Sequence, residues 1–266
     1  MSGNNLGKIP LSRPVEKLKV FVVILIILSL PILSIYFLDL DFQRFVSRLS
    51  NFPFIFRQFL RPNPEILPEG LYQLYISVMM ALASLALGAF VSLILSFLAA
   101  ENTAPSKTLS VIIKSTVSVI RAVPGLVLIL LIVAHMGLRN ATAVTALTLS
   151  SMGYLTKAFT ATIEEQPQSI IDTMRATGAK WFQIVVHGLL PNVLPSFVSW
   201  VSMRFEMSVA ESISLGVIGV GGIGGLIMRS ARNHRFSDVS MLILIIFVSM
   251  LVVEVFLTGV KKRVNM

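Results

Sequence analysis

Long apolar runs dominate this chain, and its polar residues gather in the stretches between them. Six runs stand out, at about 18–38, 72–100, 108–136, 140–160, 190–215 and 239–260. Each is long enough to cross ~30 Å of hydrocarbon as an α-helix rising 1.5 Å per residue. Only helices and closed barrels satisfy their backbone in lipid, and runs this continuous lack the alternation of barrel strands. The pattern predicts an all-α integral membrane protein with six transmembrane helices.

Composition sharpens that picture. Of 266 residues, 55% are hydrophobic and 13% charged, with a mean hydropathy of +0.84, whereas soluble domains are nearer a quarter charged. Cysteine is absent, which excludes a disulfide scaffold and a thiol nucleophile. His135, His187 and His234 lie too far apart for metal-ligand spacing, so no metal site is expected. A net charge of +9 in a soluble protein would raise nucleic-acid binding. Here the basic residues sit in tails and loops beside apolar runs, as topology and anionic lipid headgroups require. The lipid bilayer is the expected partner, and nucleic acid is not.

The first run has no small-x-small cleavage site and is followed by Asp39-Leu-Asp41, so it reads as a retained anchor and not a signal peptide. Lys8, Arg13, Lys17 and Lys19 precede it, and Lys261, Lys262 and Arg263 follow the last run. With an even helix count these flanks place both termini in the cytoplasm. Arg44, Arg48, Arg57, Arg61, Arg229, Arg232 and Arg235 then fall outside, against the rule. Three divisions follow: 1–70, an anchor helix and a proline-rich outer interfacial segment; 71–260, the main transmembrane domain; and 261–266, a basic tail.

Two connections differ from ordinary loops. The glycines of 216–225, among them Gly219, Gly221, Gly222 and Gly224, suit either close helix packing or a flexible gate. The polar stretch before the fifth run predicts two short helices broken at Gly178. Asp172 is placed to start the first, since a carboxylate favours a helix N-terminus. Trp181, Phe182 and Val185 give the second an apolar face at helical spacing. Pro191 and Pro195 fall at or just inside the start of the fifth run.

This stretch resembles the EAA loop of ABC importer permeases, E-A-A-x3-G-x9-I-x-L-P. Asp172 stands at the Glu position, Gly178 at the glycine, Gly188 at the Ile, and Leu190-Pro191 close the motif. Thr173 and Met174 replace the Ala pair. Met174-Arg175-Ala176-Thr177-Gly178-Ala179 is similar to the phosphonate/phosphite branch of that family, as are Ala100-Glu101-Asn102, Arg121-Ala-Val-Pro124, Arg204-Phe-Glu206 and Gly219-Val-Gly-Gly-Ile-Gly224. The resemblance covers about residues 72–260. It implies a type I ABC importer permease fold in a bacterial inner membrane, with a cytoplasmic coupling helix at about 169–188 that docks on an ATPase. The residues it nominates for that docking are Asp172, Arg175, Ala176, Thr177, Gly178, Ala179, Trp181, Leu190 and Pro191. It further implies a homodimer, two ABC ATPase subunits that carry ATP and Mg, and an extracytoplasmic substrate-binding protein, with no cofactor on this chain. After Arg204-Phe-Glu206 the family usually carries Asn and then Arg, where this chain has Ser208 and Ala210. The expected cargo is phosphonate, phosphite or a related oxyanion; a different small ligand such as a vitamin or amino acid is the alternative.

Charged groups at membrane depth are costly and usually face a cavity or a partner. Lys114, Ser118 and Arg121 share one helix face at i, i+4, i+7, as do Arg204, Ser208 and Glu211. Both arginines fall ~20 Å along their helices from the cytoplasmic end. Arg121, Arg204, Glu206, Ser208 and Glu211 are therefore the candidate substrate path, and the bland alternative is that the arginines only pair with Glu206 and Glu211. No G-x-x-x-x-G-K-[ST] occurs, so the chain carries no P-loop of its own. An intramembrane enzyme lacks a general base among these residues, and an ion-coupled secondary transporter would show two related halves.

Overall fold

The computed structural model describes residues 14–37, 42–50 and 52–264. Lys8 and Arg13, which bear on topology, and Asp39 and Asp41, which bear on the anchor reading, lie outside them. The chain forms α1 (Pro14–Phe37), α2 (Phe42–Leu49), α3 (Phe52–Phe59), a short 3-10 turn at Pro64–Ile66 and α4 (Leu67–Ala99). Then come α5 (Lys107–Ala122), α6 (Gly125–Met136), α7 (Asn140–Glu164), α8 (Gln168–Ala176) and α9 (Trp181–Gln183). A π-helical segment, Ile184–Leu189, leads into α10 (Leu190–Ile218), and α11 (Gly222–Arg232) and α12 (Phe236–Val264) complete the chain. No strand occurs among the described residues.

Two compact units are present, Met1–Phe56 and Arg57–Met266. In the first, the apolar window Leu18–Ile35 of α1 has none of its residues buried, as suits a helix in lipid. In the second, α4 and α7 make the most extensive helix pair. Ser77, Ser84, Ser92 and Ser96 of α4 are fully buried, and a Cβ on Gly88 would come within 2.8 Å of the Ser151 Cβ. Small side chains let the two backbones approach, which is how helices gain contact where lipid competes for apolar surface.

Among the described residues, four helical stretches are long and apolar enough to cross a membrane: Leu18–Ile35, Pro64–Ala99, Trp181–Arg232 and Phe236–Gly259. The expected single third helix, 108–136, is in fact broken. The axes of its two halves diverge by 91°, because Pro124 forces Val123 out of the helical region to ψ 123°. Taken together, the halves raise the count to five. The expected fourth, 140–160, is the 25-residue α7. It has the length to span but is too rich in Ser and Thr to qualify on apolarity alone.

Candidate functional site

The segment before α10 is built on a helix end that only certain residues permit. Thr177 caps α8, Gly178 follows with φ +81°, and two backbone bonds close the turn. Ala179 N–H donates to Met174 O at 3.1 Å and Gly178 N–H to Arg175 O at 2.9 Å. This is the Schellman arrangement, with glycine at the position that needs a left-handed backbone. A Cβ on Gly178 would meet nothing within 4 Å. The glycine thus serves the backbone angle and not a tight space. Asp172 does not start this helix, contrary to expectation. Pro167 stands at the N-cap, and Asp172 lies mid-helix, accepting from Gln168 Nε2 at 3.3 Å.

One side of this segment is core and the other is open. Ile171, Ile184, Val185 and Leu189 are buried in a cluster with Phe97, Phe159, Ile163 and Phe197; Phe159 and Phe197 stack at 4.0 Å. Each such side chain contributes about 1.5–3 kcal/mol, and the cluster ties the segment to α4, α7 and α10. Asp172, Arg175, Ala176, Thr177 and Gly178 are exposed, as are Trp181 and Phe182, and Ala179 is half-buried. Leu190 is half-buried and Pro191 exposed, both in the first turn of α10.

Trp181 also reaches inward. Its Nε1 donates to Thr103 O at 2.7 Å, in the connection between α4 and α5. That connection is clamped in turn. Asn102 Nδ2 donates to Ile163 O at 2.7 Å, and the Glu101 N–H to Glu164 Oε1 at 2.9 Å. Lys114 of α5 sits 2.8 Å from both Glu101 Oε1 and Glu164 Oε1. The hydrogen bond and charge of Lys114 hold the Glu101 carboxyl below its ordinary pKa. Trp181 is thus linked through this connection to both α5 and α7.

Deeper between α5, α7 and α10 lies a cavity of 220 Å³ lined by Arg121, Ser150, Tyr154, Arg204 and Glu211. The two arginines expected at one depth do meet there, but in different states. Arg204 is 2% exposed. Its Nη1 and Nη2 donate to the two oxygens of Glu211 at 2.9 and 2.7 Å, Nη2 also to Ser150 Oγ at 3.1 Å, and Nε to Ser151 Oγ at 3.0 Å. The Tyr154 ring lies 5.8 Å away. Of five N–H donors, one remains. Ser208 is buried beneath, 3.4 Å from Ser151 Oγ. Arg121 is exposed, its stem against Gly153, and among the described residues it has no ion-pair or hydrogen-bond partner. A neighbouring 390 Å³ cavity, lined by Ala146, Ser150, Ala210, Glu211 and Ser214, extends the opening.

Glu206 does not line either cavity. Two residues on from Arg204 it is turned about 200° around the helix, where it faces α12, 3.6 Å from Lys261 Nζ and beside Glu254. Ser150, Ser151 and Tyr154 were not singled out from the sequence. The available signal was the polar face of α7, where Ser150, Tyr154 and Lys157 recur at i, i+4, i+7.

At the opposite end of the bundle the glycine run makes a tight hairpin between α10 and α11. Gly219 ends α10 with φ 109°, and Gly221 and Gly222 also have positive φ. A Cβ on Gly224 would overlap the Ile213 carbonyl oxygen, one on Gly222 the Ser77 hydroxyl, and one on Gly221 would sit 2.5 Å from Asn140 Oδ1. Ile223 N–H donates to Ser77 Oγ at 3.1 Å. These are close-packing positions.

The family model described as "Binding-protein-dependent transport system inner membrane component" matches residues 92–266. The phosphite transport system permease protein PtxC of Stutzerimonas stutzeri is 32% identical over 184 residues, 69% of this chain and 66% of that protein. The phosphate-import permease protein PhnE of Mycolicibacterium smegmatis is 29% identical over 210 residues, 79% of this chain and 40% of that protein. The chain thus spans about two thirds and two fifths of these two relatives. An inward-facing structure of the MetNI methionine ABC transporter superposes with a TM-score of 0.68 at 18% identity, covering 76% of this chain and 99% of that one. At that identity the likeness is one of fold.

Proposed function

This chain belongs to the family of binding-protein-dependent transport inner membrane components, and from that premise we propose that it is the permease subunit of an ATP-driven importer for a small phosphorus oxyanion. The observation that carries the substrate class is Arg121, a cation without a protein partner among the described residues, facing a cavity at membrane depth. An unpaired charge there is costly unless something else neutralises it, and an oxyanion does. The relatives named for phosphite and phosphate import support the same class.

In this reading two copies of the chain flank one path in a bacterial inner membrane, with both termini cytoplasmic. A binding protein delivers the anion on the side of the glycine hairpin. Two ATPase subunits, which hold ATP and Mg, dock on the exposed face of Asp172–Trp181. Their closure moves that face, and the stacked core carries α4, α7 and α10 with it. The Trp181–Thr103 bond and the Lys114 cluster pass the same motion to α5 and so to Arg121. Residues 1–70 serve as an anchor and an interfacial segment.

The test is uptake of labelled phosphite and methylphosphonate by the reconstituted complex. Arg121→Met keeps the stem and removes the charge. It is expected to lower uptake at least tenfold, about 1.4 kcal/mol, while the ATPase still co-purifies. This chain alone is expected to hydrolyse no ATP. Undiminished uptake by Arg121→Met would remove the oxyanion assignment, and turnover by the isolated chain would remove the permease assignment.

Trp181→Phe tests the transmission route. An aromatic ring remains to pack, and the bond to Thr103 is lost together with part of the indole's bulk. Complex assembly and ATP hydrolysis are expected to persist while uptake per ATP falls several-fold. An unchanged uptake-to-hydrolysis ratio would mean that the bond transmits nothing.

A further inference from the structure

We propose that the 280 Å³ cavity between α5 and α7, lined by Lys114, Ser118, Thr156, Lys157, Thr160 and Glu164, is a second binding site for a tetrahedral phosphorus oxyanion, centred on Lys157. The cavity holds several waters at about 30 Å³ each, so a small anion fits with room for solvent.

Its chemistry is that of an oxyanion cradle. Lys157 is exposed and, among the described residues, has no ion-pair or hydrogen-bond partner. Thr156 and Thr160 are 2% and 6% exposed, and neither hydroxyl finds a partner in the protein. Buried hydroxyls left unpaired are costly, a cost that a ligand with several acceptor oxygens relieves. Threonine on a helix has two accessible χ1 rotamers, so each hydroxyl can turn to an incoming oxygen without moving the backbone. Lys114 spends two protons on Glu101 and Glu164 at 2.8 Å and has a third to donate. The carboxylate in the wall, Glu164, shares Lys114 with Glu101, whose own charge is largely screened because that side chain is 79% exposed. The groups left unsatisfied are a cation and two hydroxyls, which together suit an anion.

Position gives the site a role, and this part rests on the substrate class proposed above. Lys114 and Arg121 share a face of α5, as Lys157 and Ser150 do of α7. Both spacings are seven residues, about 10 Å along a helix. The second site therefore lies two turns from the Arg121 cavity, toward α8, where an anion released from Arg121 would next be held. A lipid headgroup phosphate offers the same oxygens from the bilayer, and the experiment separates the two sources.

The complex with its ATPase, without binding protein, is titrated with inorganic phosphate and read by ³¹P line broadening, while bound phospholipid is counted by native mass spectrometry. Wild type is compared with Lys157→Met, with Thr156→Val plus Thr160→Val, and with Arg121→Met. The valine pair should not unfold the protein, because it removes hydroxyls that already lack partners; an unlowered melting midpoint checks this. Phosphate binding weakened at least tenfold by Lys157→Met and by the valine pair, but kept by Arg121→Met, supports a free-anion site. A phospholipid lost from both of the first two variants, with phosphate inert, supports the site with a headgroup as its ligand. If neither phosphate nor lipid occupancy responds to either variant, the site does not exist. Should the complex import no oxyanion at all while phosphate binding still follows Lys157, the site stands and the substrate assignment falls.

Discussion

Gly224→Ala is expected to deplete the folded protein, although alanine in a helix interior ordinarily gains about 1 kcal/mol over glycine. The reason is what the new methyl meets. It would overlap the Ile213 carbonyl oxygen and lie 2.9 Å from Val217 N, both backbone atoms of α10. A side chain can change rotamer to admit a methyl, but a helix backbone cannot. The α10–α11 hairpin must separate, which loosens Ile223 and Leu226, buried with Leu242 and Ile245. Overpacking a tight site costs about 1–3 kcal/mol, and a backbone obstacle places this case at the upper end. The neighbouring residue is the control. A Cβ on Gly225 comes no closer than 3.4 Å to Gly216 O, an ordinary contact. Gly225→Ala should therefore melt at or above wild type in detergent, and Gly224→Ala well below it. Both should insert equally, because hydropathy is unchanged. Equal melting midpoints would show that the hairpin is not closely packed at Gly224.

The sequence left that glycine run as either a packing surface or a gate, and it could not show how closely it packs, because the atoms it meets belong to Ile213 and Ser77 in other helices. The membrane-spanning runs were legible because lipid leaves few alternatives to a helix. The turn at Gly178 was legible because a Schellman end fixes glycine at one offset from the helix. Asp172 was misread by assuming that α8 starts at the carboxylate, when Pro167 four positions before Ile171 already marked the start. The break at Val123 was written in Pro124, but apolarity on both sides hid it. Glu206 could have been excluded by counting around the helix. What no sequence pattern could supply is the different state of the two arginines. Arg204 is held in part by Ser150 and Ser151, more than fifty residues away, and Arg121 happens to face open space.

That difference gives the second large effect. Removing one partner of the Arg204–Glu211 pair should harm the protein more than removing both, and the two single variants should not be equal. Glu211→Ala leaves a guanidinium that is 2% exposed without its counter-charge, so its cost should reach about 3–5 kcal/mol. Arg204→Met leaves a carboxylate that is 36% exposed and open to cavity water. Solvent screens that charge, and the loss is correspondingly smaller. Arg204→Met with Glu211→Ala leaves no buried charge, and the hydroxyls of Ser150 and Ser151 can turn to their own helix. The double variant should therefore melt above Glu211→Ala. The gap, read as a double-mutant cycle, measures the coupling of the pair. Additive losses would mean that the bidentate contact contributes nothing. Uptake decides what the pair is for. With four of its donors already engaged, Arg204 has little left to offer a substrate, so the double variant, once assembled, should recover transport that Arg121→Met does not. If it assembles and still fails to transport while Arg121→Met works, the substrate is held by Arg204, and the roles of the two arginines are exchanged.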